Sequence, residues 1–333
     1  MKPKVVALDV DETLGHFSQF SYFGHTLGQY FNKPDIMYRY FNDLVDLYPE
    51  IIRPNMVRIL DYIRKKKNAG VCSKVMIYTN NMGPDKWVAH IRRYFEDKLR
   101  AMKQSGAGGG LAIVPPLFDH TIGGFKPQNE RTAAASASAY PERTTTHKTV
   151  NEFIRCGRLP ADIEICFLDD VEHPKMVDER VYYIKLQAYH SYIPFEMFVV
   201  RFLNSALYRD VFSHFQVQSI TPGTSSAAKS QILSIEMNNL LVKIAEAAEY
   251  DVKANQRKVN PREIDEIISK YIVYHLQQFF RDGLAASTSA THKPRNKTSK
   301  KNSRASSLNR RRVYYIDKNT AVKNMKNKTI RNR

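Results

Sequence analysis

Cysteine is scarce in this sequence. Cys72, Cys156 and Cys166 are all that 333 residues hold, too few and too scattered for a disulfide framework or a cysteine-rich zinc site, and they point to a reducing compartment. Long apolar runs are missing too. The most apolar candidate, residues 195–212, is broken by Glu196, Arg201 and Arg209, so no stretch reaches the roughly 18 residues of a membrane span. The opening Met-Lys-Pro-Lys leads into Asp9, Asp11 and Glu12 before the apolar core of a signal peptide can form. Together these absences predict a soluble, intracellular protein, nuclear or cytoplasmic, with no membrane among its partners. What is present excludes disorder throughout, a collagen and a disulfide-dense mini-protein, because hydrophobic residues make up 43% and aromatic residues 11%. The length suits one large or two modest domains.

Acidic residues are lacking at one end only. The net charge is +18, but residues 290–333 hold fifteen Lys and Arg against the single Asp317, which leaves the rest of the chain near +4. The basic character is a C-terminal appendage. Within it Arg310, Arg311 and Arg312 stand beside Tyr314 and Tyr315, a mixture suited to phosphate contacts with base stacking and equally to a nuclear localisation signal or a solvated polycation. Nucleic acid is therefore a candidate partner through residues 290–333. The Ser, Thr, Asn, Lys and Arg composition of residues 284–333 predicts a disordered basic tail.

Short apolar runs ending in polar residues predict buried parallel strands at residues 4–9, 74–79 and 164–169, with a weaker one at 181–186. Between them lie helical patterns. Pro54 can open a helix whose apolar face is Val57, Leu60 and Ile63, stopped by Gly70. Pro84 and Asp85 can open another with Val88, Ile91, Phe95, Leu99 and Met102. Strands alternating with helices predict an α/β parallel sheet with right-handed crossovers, here as a domain of residues 1–213. It carries two insertions, an aromatic-rich segment at about 16–52 and a loose one at about 104–146, expected to form a small cap and a substrate loop. A Thr, Pro, Gly and Ser stretch marks a linker at 214–231. Residues 232–283 read as a helical pair that docks on the body or on a second copy. Met237, Leu240, Leu241 and Ile244 mark its first stripe; Ile264, Ile267, Ile268, Tyr271 and Leu276 mark its second, opened by Asn260 and Pro261.

The residues suited to chemistry gather at the strand ends. The first expected strand ends in Asp9-Val10-Asp11-Glu12-Thr13-Leu14, the second in Thr79-Asn80 and the third in Asp169-Asp170. Any one of these is an ordinary polar turn. Parallel strands, however, bring all three to one sheet edge, where open α/β sheets bind ligands. Asp9, Asp11, Asp169 and Asp170 would repel one another there unless a cation joined them. Oxygen-only ligands select a hard ion, Mg²⁺. His147 and His173 lie close by but have no metal-ligand spacing, and no role is assigned to them.

With these motifs in this order the sequence resembles the haloacid dehalogenase-type phosphatases, and among them those acting on the RNA polymerase II C-terminal domain and their NLI-interacting-factor-like relatives. The resemblance spans about residues 1–190. It implies a haloacid dehalogenase-like, Rossmann-like three-layer α/β fold and an Mg²⁺-dependent phosphatase. Asp9 would be the nucleophile that takes the phosphoryl group, and Asp11 the acid that protonates the leaving oxygen and then activates water. Thr79 would hold a phosphate oxygen, and Lys148 would complete the site, with Lys126 and Lys175 as rivals. Asp169 and Asp170 match the metal-binding motif, and Arg53-Pro54 also resembles the family. Asn80 departs from the small apolar residue usual after the threonine, and the loop before Lys148 is long. The implied substrate is phosphoserine or phosphothreonine in a protein. A polynucleotide phosphatase is the enzymatic alternative, and a nucleic-acid-binding or scaffold protein on an inactive phosphatase fold is the other. The general look, tail included, is also similar to phosphatase-like proteins of large DNA viruses, which implies a host-cell location.

Overall fold

A computed structural model describes residues 2–83, 85–104, 115–127, 140–210, 259–282 and 313–319, together with residues 225, 231, 235 and 238–243. Its centre is a six-stranded, wholly parallel sheet in the order β3-β2-β1-β4-β5-β6. The strands are β1 (Lys4–Leu8), β2 (Lys74–Tyr78), β3 (His120–Ile122), β4 (Glu164–Asp169), β5 (Val181–Leu186) and β6 (Val313–Ile316). The near-continuous apolar runs of β1, β2 and β4 follow from burial on both faces. The chain works outward from β1 through β2 to β3, then returns to place β4, β5 and β6 on the other side. The direction of winding therefore reverses between β1 and β4, where such sheets open a crevice at their carboxyl ends.

Helices cover both faces. On one, Val6, Leu8, Ile77, Leu168 and Ile184 pack beneath α1 (Ser18–Tyr30), α2 (Ile36–Arg39), α3 (Phe41–Leu47), α4 (Met56–Asn68) and α5 (Asp85–Gln104). On the other, Ala7, Met76, Tyr78, Phe167 and Tyr183 pack with Val150, Phe153 and Cys156 of α6 (Val150–Cys156). The expected three layers are present. The aromatic insertion forms no separate cap: Phe20 and Phe23 of α1 stack with Tyr48, Trp87 and the Phe198 and Phe202 rings of α7 (Phe195–Leu203), inside the main core. A short α8 (Ala206–Asp210) follows α7.

The C-terminal part departs most from expectation. Helix α9 (Arg262–Asp282) buries Ile268, Ile272, Leu276 and Phe279 in the main core. Lys4 Nζ donates to the Phe279 and Phe280 carbonyls at 2.8 and 3.2 Å, which caps the negative end of α9. The helix completes the sheet domain rather than forming a unit apart. The first helix of the expected pair is described only at residue 235 and residues 238–243, where Leu240 is buried; the linker at 214–231 lies almost wholly outside the described residues. The expectation of a disordered tail over 284–333 is corrected at one place. Residues 313–316 pair in parallel with β5 from Tyr183 to Leu186, and Tyr314 stacks on Tyr182 with ring centroids 4.3 Å apart. The cause is local: Val-Tyr-Tyr-Ile is a β-forming run whose signal is diluted by the polar residues around it. Residues 283–312 and 320–333 lie outside the described residues.

Candidate active site

The register Leu8↔Ile77 and Leu8↔Leu168 brings the ends of β1, β2 and β4 level, so Asp9, Thr79 and Asp169 emerge side by side. Beyond Asp9 the chain turns sharply. Thr13 N donates to the Asp11 carbonyl and Glu12 N to the Gly15 carbonyl, with Glu12 in the left-handed region at φ 53°. A buried arginine secures this turn: Arg53 Nε donates to the Thr13 carbonyl at 2.7 Å, and Nη2 donates to the carbonyls of Glu12 at 2.6 Å and Gln187 at 2.9 Å. Gly15 is required here, since a Cβ would stand 2.5 Å from the Ile51 carbonyl oxygen.

Lys148 is the centre of the site. It is 2% exposed, and its ammonium donates to Asp9 Oδ1 and Asp169 Oδ2, each at 2.6 Å. Its position is set by Tyr78 of β2, whose hydroxyl accepts from Thr149 N at 2.9 Å and donates to the Thr149 carbonyl. Thr149 then caps α6 by accepting from Glu152 N at 3.0 Å. Of the rival lysines, Lys126 lines a neighbouring groove and Lys175 is exposed in a short turn.

The carboxylates do gather. Oxygens of Asp9, Asp169 and Asp170 lie within 4.8 Å of one another. Thr13 Oγ1 donates to Asp170 at 3.3 Å. Burial pushes Asp9 up to about 8, reinforced by the negative charges of Asp169 and Asp170 and opposed by Lys148. Burial and Asp169 push Asp170 up to about 7. Asp169, despite its own burial, is held below the ordinary carboxylate range by His173 and Lys148, with His173 Nε2 at 3.3 Å. An all-oxygen donor set in which two members resist ionisation together is what a hard divalent cation relieves, so these residues fit Mg²⁺.

Asp11 takes a different place from the one expected of a metal ligand. Its carboxylate lies outside the three-aspartate cluster and accepts from Asn81 Nδ2 at 2.8 Å; burial raises it above the usual carboxylate range. It lines a groove of about 640 Å³ together with Phe17, Tyr22, Met37, Tyr38 and Trp87. Thr79 is buried at its strand end, and its hydroxyl accepts from Asn81 N at 3.1 Å.

One residue that completes the site, Arg143, carried no sequence signal. Arg143 is buried, donates to the Thr79 carbonyl at 3.1 Å and to Asn80 Oδ1 and the Thr146 carbonyl at 2.7 Å, and stacks over the Tyr78 ring. It lies in the long loop and pins the exit of β2 to the turn that carries Lys148. Its partner Asn80 directly follows Thr79 at the exit of β2. His173 has no metal-ligand spacing in the sequence, and the structure sets its imidazole against Asp169, four residues before it. His147 is exposed. Comparison of the chain with protein-family models, with curated proteins and with solved structures returns no match. No helix among the described residues is long and apolar enough to cross a membrane.

Proposed function

We propose that this protein is a Mg²⁺-dependent phosphoric monoester hydrolase of the haloacid dehalogenase type, acting through an aspartyl phosphate on Asp9. The observation that carries this reading is the Lys148 ammonium shared between Asp9 and Asp169 at 2.6 Å, at the sheet edge where Thr79 and Asp11 also emerge. Phosphoryl transfer asks for positioning and charge neutralisation rather than elaborate covalent chemistry. Asp9, Asp169 and Asp170 would hold Mg²⁺, which supplies Lewis-acid neutralisation of the phosphate. Asp9 attacks phosphorus with its carboxylate oxygen. Lys148 offsets the charge of nucleophile and substrate, and Thr79 Oγ1 donates to a phosphate oxygen. Asp11, kept protonated more readily by its burial, gives its proton to the leaving oxygen and then takes one from the water that releases phosphate from Asp9.

The favoured substrate is phosphoserine or phosphothreonine in a protein. The groove that opens at Asp11 supports this, because Phe17, Tyr22, Met37, Tyr38 and Trp87 offer apolar contact to a peptide. The test compares phosphate release from a phosphopeptide, a 3′-phosphorylated oligonucleotide and an aryl phosphate. A preference for the oligonucleotide would move the reading to a polynucleotide phosphatase. Inactivity on all three in Mg²⁺ would leave a non-catalytic scaffold.

A further inference from the structure

A second group of potential metal ligands stands apart from the aspartate cluster. Glu12, His16 and His190 each offer one ligand atom, and the three atoms lie within 4.8 Å of one another. Glu12 and His16 belong to the turn after β1, while His190 lies beyond β5. His16 Nδ1 is 3.0 Å from Glu12 Oε1, and the two imidazole rings meet edge to face at 5.2 Å. His16 is 2% exposed, and its Nε2 is buried with no hydrogen-bond partner. A buried imidazole nitrogen normally finds one.

We propose that Glu12, His16 and His190 form a second metal site that takes Zn²⁺. Two imidazoles and one carboxylate make a donor set unlike the three aspartates: nitrogen donors favour Zn²⁺, whereas carboxylate oxygens suit Mg²⁺. Tetrahedral Zn²⁺ with bonds of about 2.0–2.1 Å holds its ligands roughly 3.4 Å apart, so the three atoms need close by little more than an ångström. The surroundings are acidic, because Glu12 is near enough to Asp11 and Asp170 for its charge to act on both. The positive Arg53 guanidinium is the opposing neighbour, but its Nη2 is directed to the Glu12 carbonyl. Glu12 lines the 640 Å³ groove and His190 is half-buried, which gives the ion a route from solvent. Bound there, Zn²⁺ would tie the turn carrying Asp11 to the segment after β5, where Tyr189 N already donates to the Glu12 carbonyl at 2.9 Å.

The test uses full-length protein in saturating Mg²⁺, titrated with Co²⁺ and then with competing Zn²⁺. We expect the visible bands of a nitrogen-ligated, four-coordinate Co²⁺, displaced by one equivalent of Zn²⁺. In His190→Gln the affinity for Zn²⁺ should fall about tenfold or more, while Asp169→Asn should retain it. His190 is chosen because it is half-buried and its loss leaves the core intact; circular dichroism verifies the fold. His16→Gln should act in the same direction. Unchanged Zn²⁺ affinity in His190→Gln, loss of binding in Asp169→Asn alone, or no Co²⁺ bands in the wild type would each overturn the proposal.

Discussion

Replacing Lys148 by methionine removes one positive charge from the site and keeps most of the side chain's volume, so its effect reports charge rather than packing. The native ammonium gives two of its protons to Asp9 and Asp169, and all three groups are buried. Breaking a buried ion pair from one side costs about 3–5 kcal/mol. That cost should appear in full only at alkaline pH. Asp9, pushed up to about 8 even with Lys148 present, is largely protonated at neutral pH in the metal-free protein with or without the lysine, so part of the repulsion is absent there. Loss of one preorganised charge-stabilising group should lower kcat about 10²- to 10³-fold. Lys148 favours the ionised form of Asp9, so its removal moves the acid limb of the kcat/KM profile to higher pH. Aryl phosphate hydrolysis in Mg²⁺ across pH, beside urea denaturation at pH 7 and pH 9, measures all of this. Lys126→Met is the control, since Lys126 lies in the adjacent groove. Turnover near the wild-type rate in Lys148→Met, or a larger loss in Lys126→Met, would show that another cation serves the phosphate.

Asp9→Asn should abolish aryl phosphate hydrolysis in a folded protein, because an amide does not attack phosphorus, and residual turnover would refute its role as nucleophile. Asp11→Asn should lose about 10²- to 10⁴-fold on a poor leaving group and less on a good one, with phosphoenzyme detectable by intact mass; equal losses on both would argue against proton transfer by Asp11. Asp9 and Asp170, raised to about 8 and 7, bind protons more tightly folded than unfolded. The metal-free protein should therefore lose stability as pH rises from about 4 to about 8, and Mg²⁺ should restore it at the upper end; the urea midpoint is the measurement, and a flat profile would contradict the crowding. Gly15→Ala, whose new methyl group meets the Ile51 carbonyl, should displace the Asp11 turn and lower both the urea midpoint and turnover. Truncation after residue 283 removes β6 and uncovers Tyr182 and the edge of β5, so it should destabilise the protein; neutralising the basic residues between 293 and 312 instead should reduce nucleic-acid binding and its salt dependence while leaving aryl phosphate turnover intact.

What the sequence made legible was whatever repeats or has a fixed period. Strands β1, β2 and β4 are buried on both faces, so their residues form unbroken apolar runs, and their polar ends announced Asp9, Thr79 and Asp169. Strand β3 has three residues and β6 four, too short for periodicity to register. Strand β6 also sits in a basic segment whose average composition argues for disorder. Lys148 is named through the resemblance, with Lys126 and Lys175 as rivals; what sets it apart is its ammonium against Asp9 and Asp169, held there by the Tyr78 hydroxyl clamped on Thr149.

Two arginines whose structural role the sequence does not announce share a physical character. Arg143 and Arg53 act through backbone carbonyls, and an arginine that ties loops by main-chain contacts leaves no pattern in the residues it touches. The link extends further than the site itself. Gln187 N donates to the Ile316 carbonyl at 2.8 Å, and its side-chain oxygen accepts from Lys318 N at 2.6 Å. Its own carbonyl accepts from Arg53, which holds the turn carrying Asp11. Strand β6 and the turn carrying Asp11 are thus joined through two residues far apart in sequence, Gln187 and Arg53. This explains why a division into a folded body and a dispensable tail, natural from composition and charge, does not follow the packing: the described segment of the tail is the edge strand β6 of the sheet that carries the candidate site.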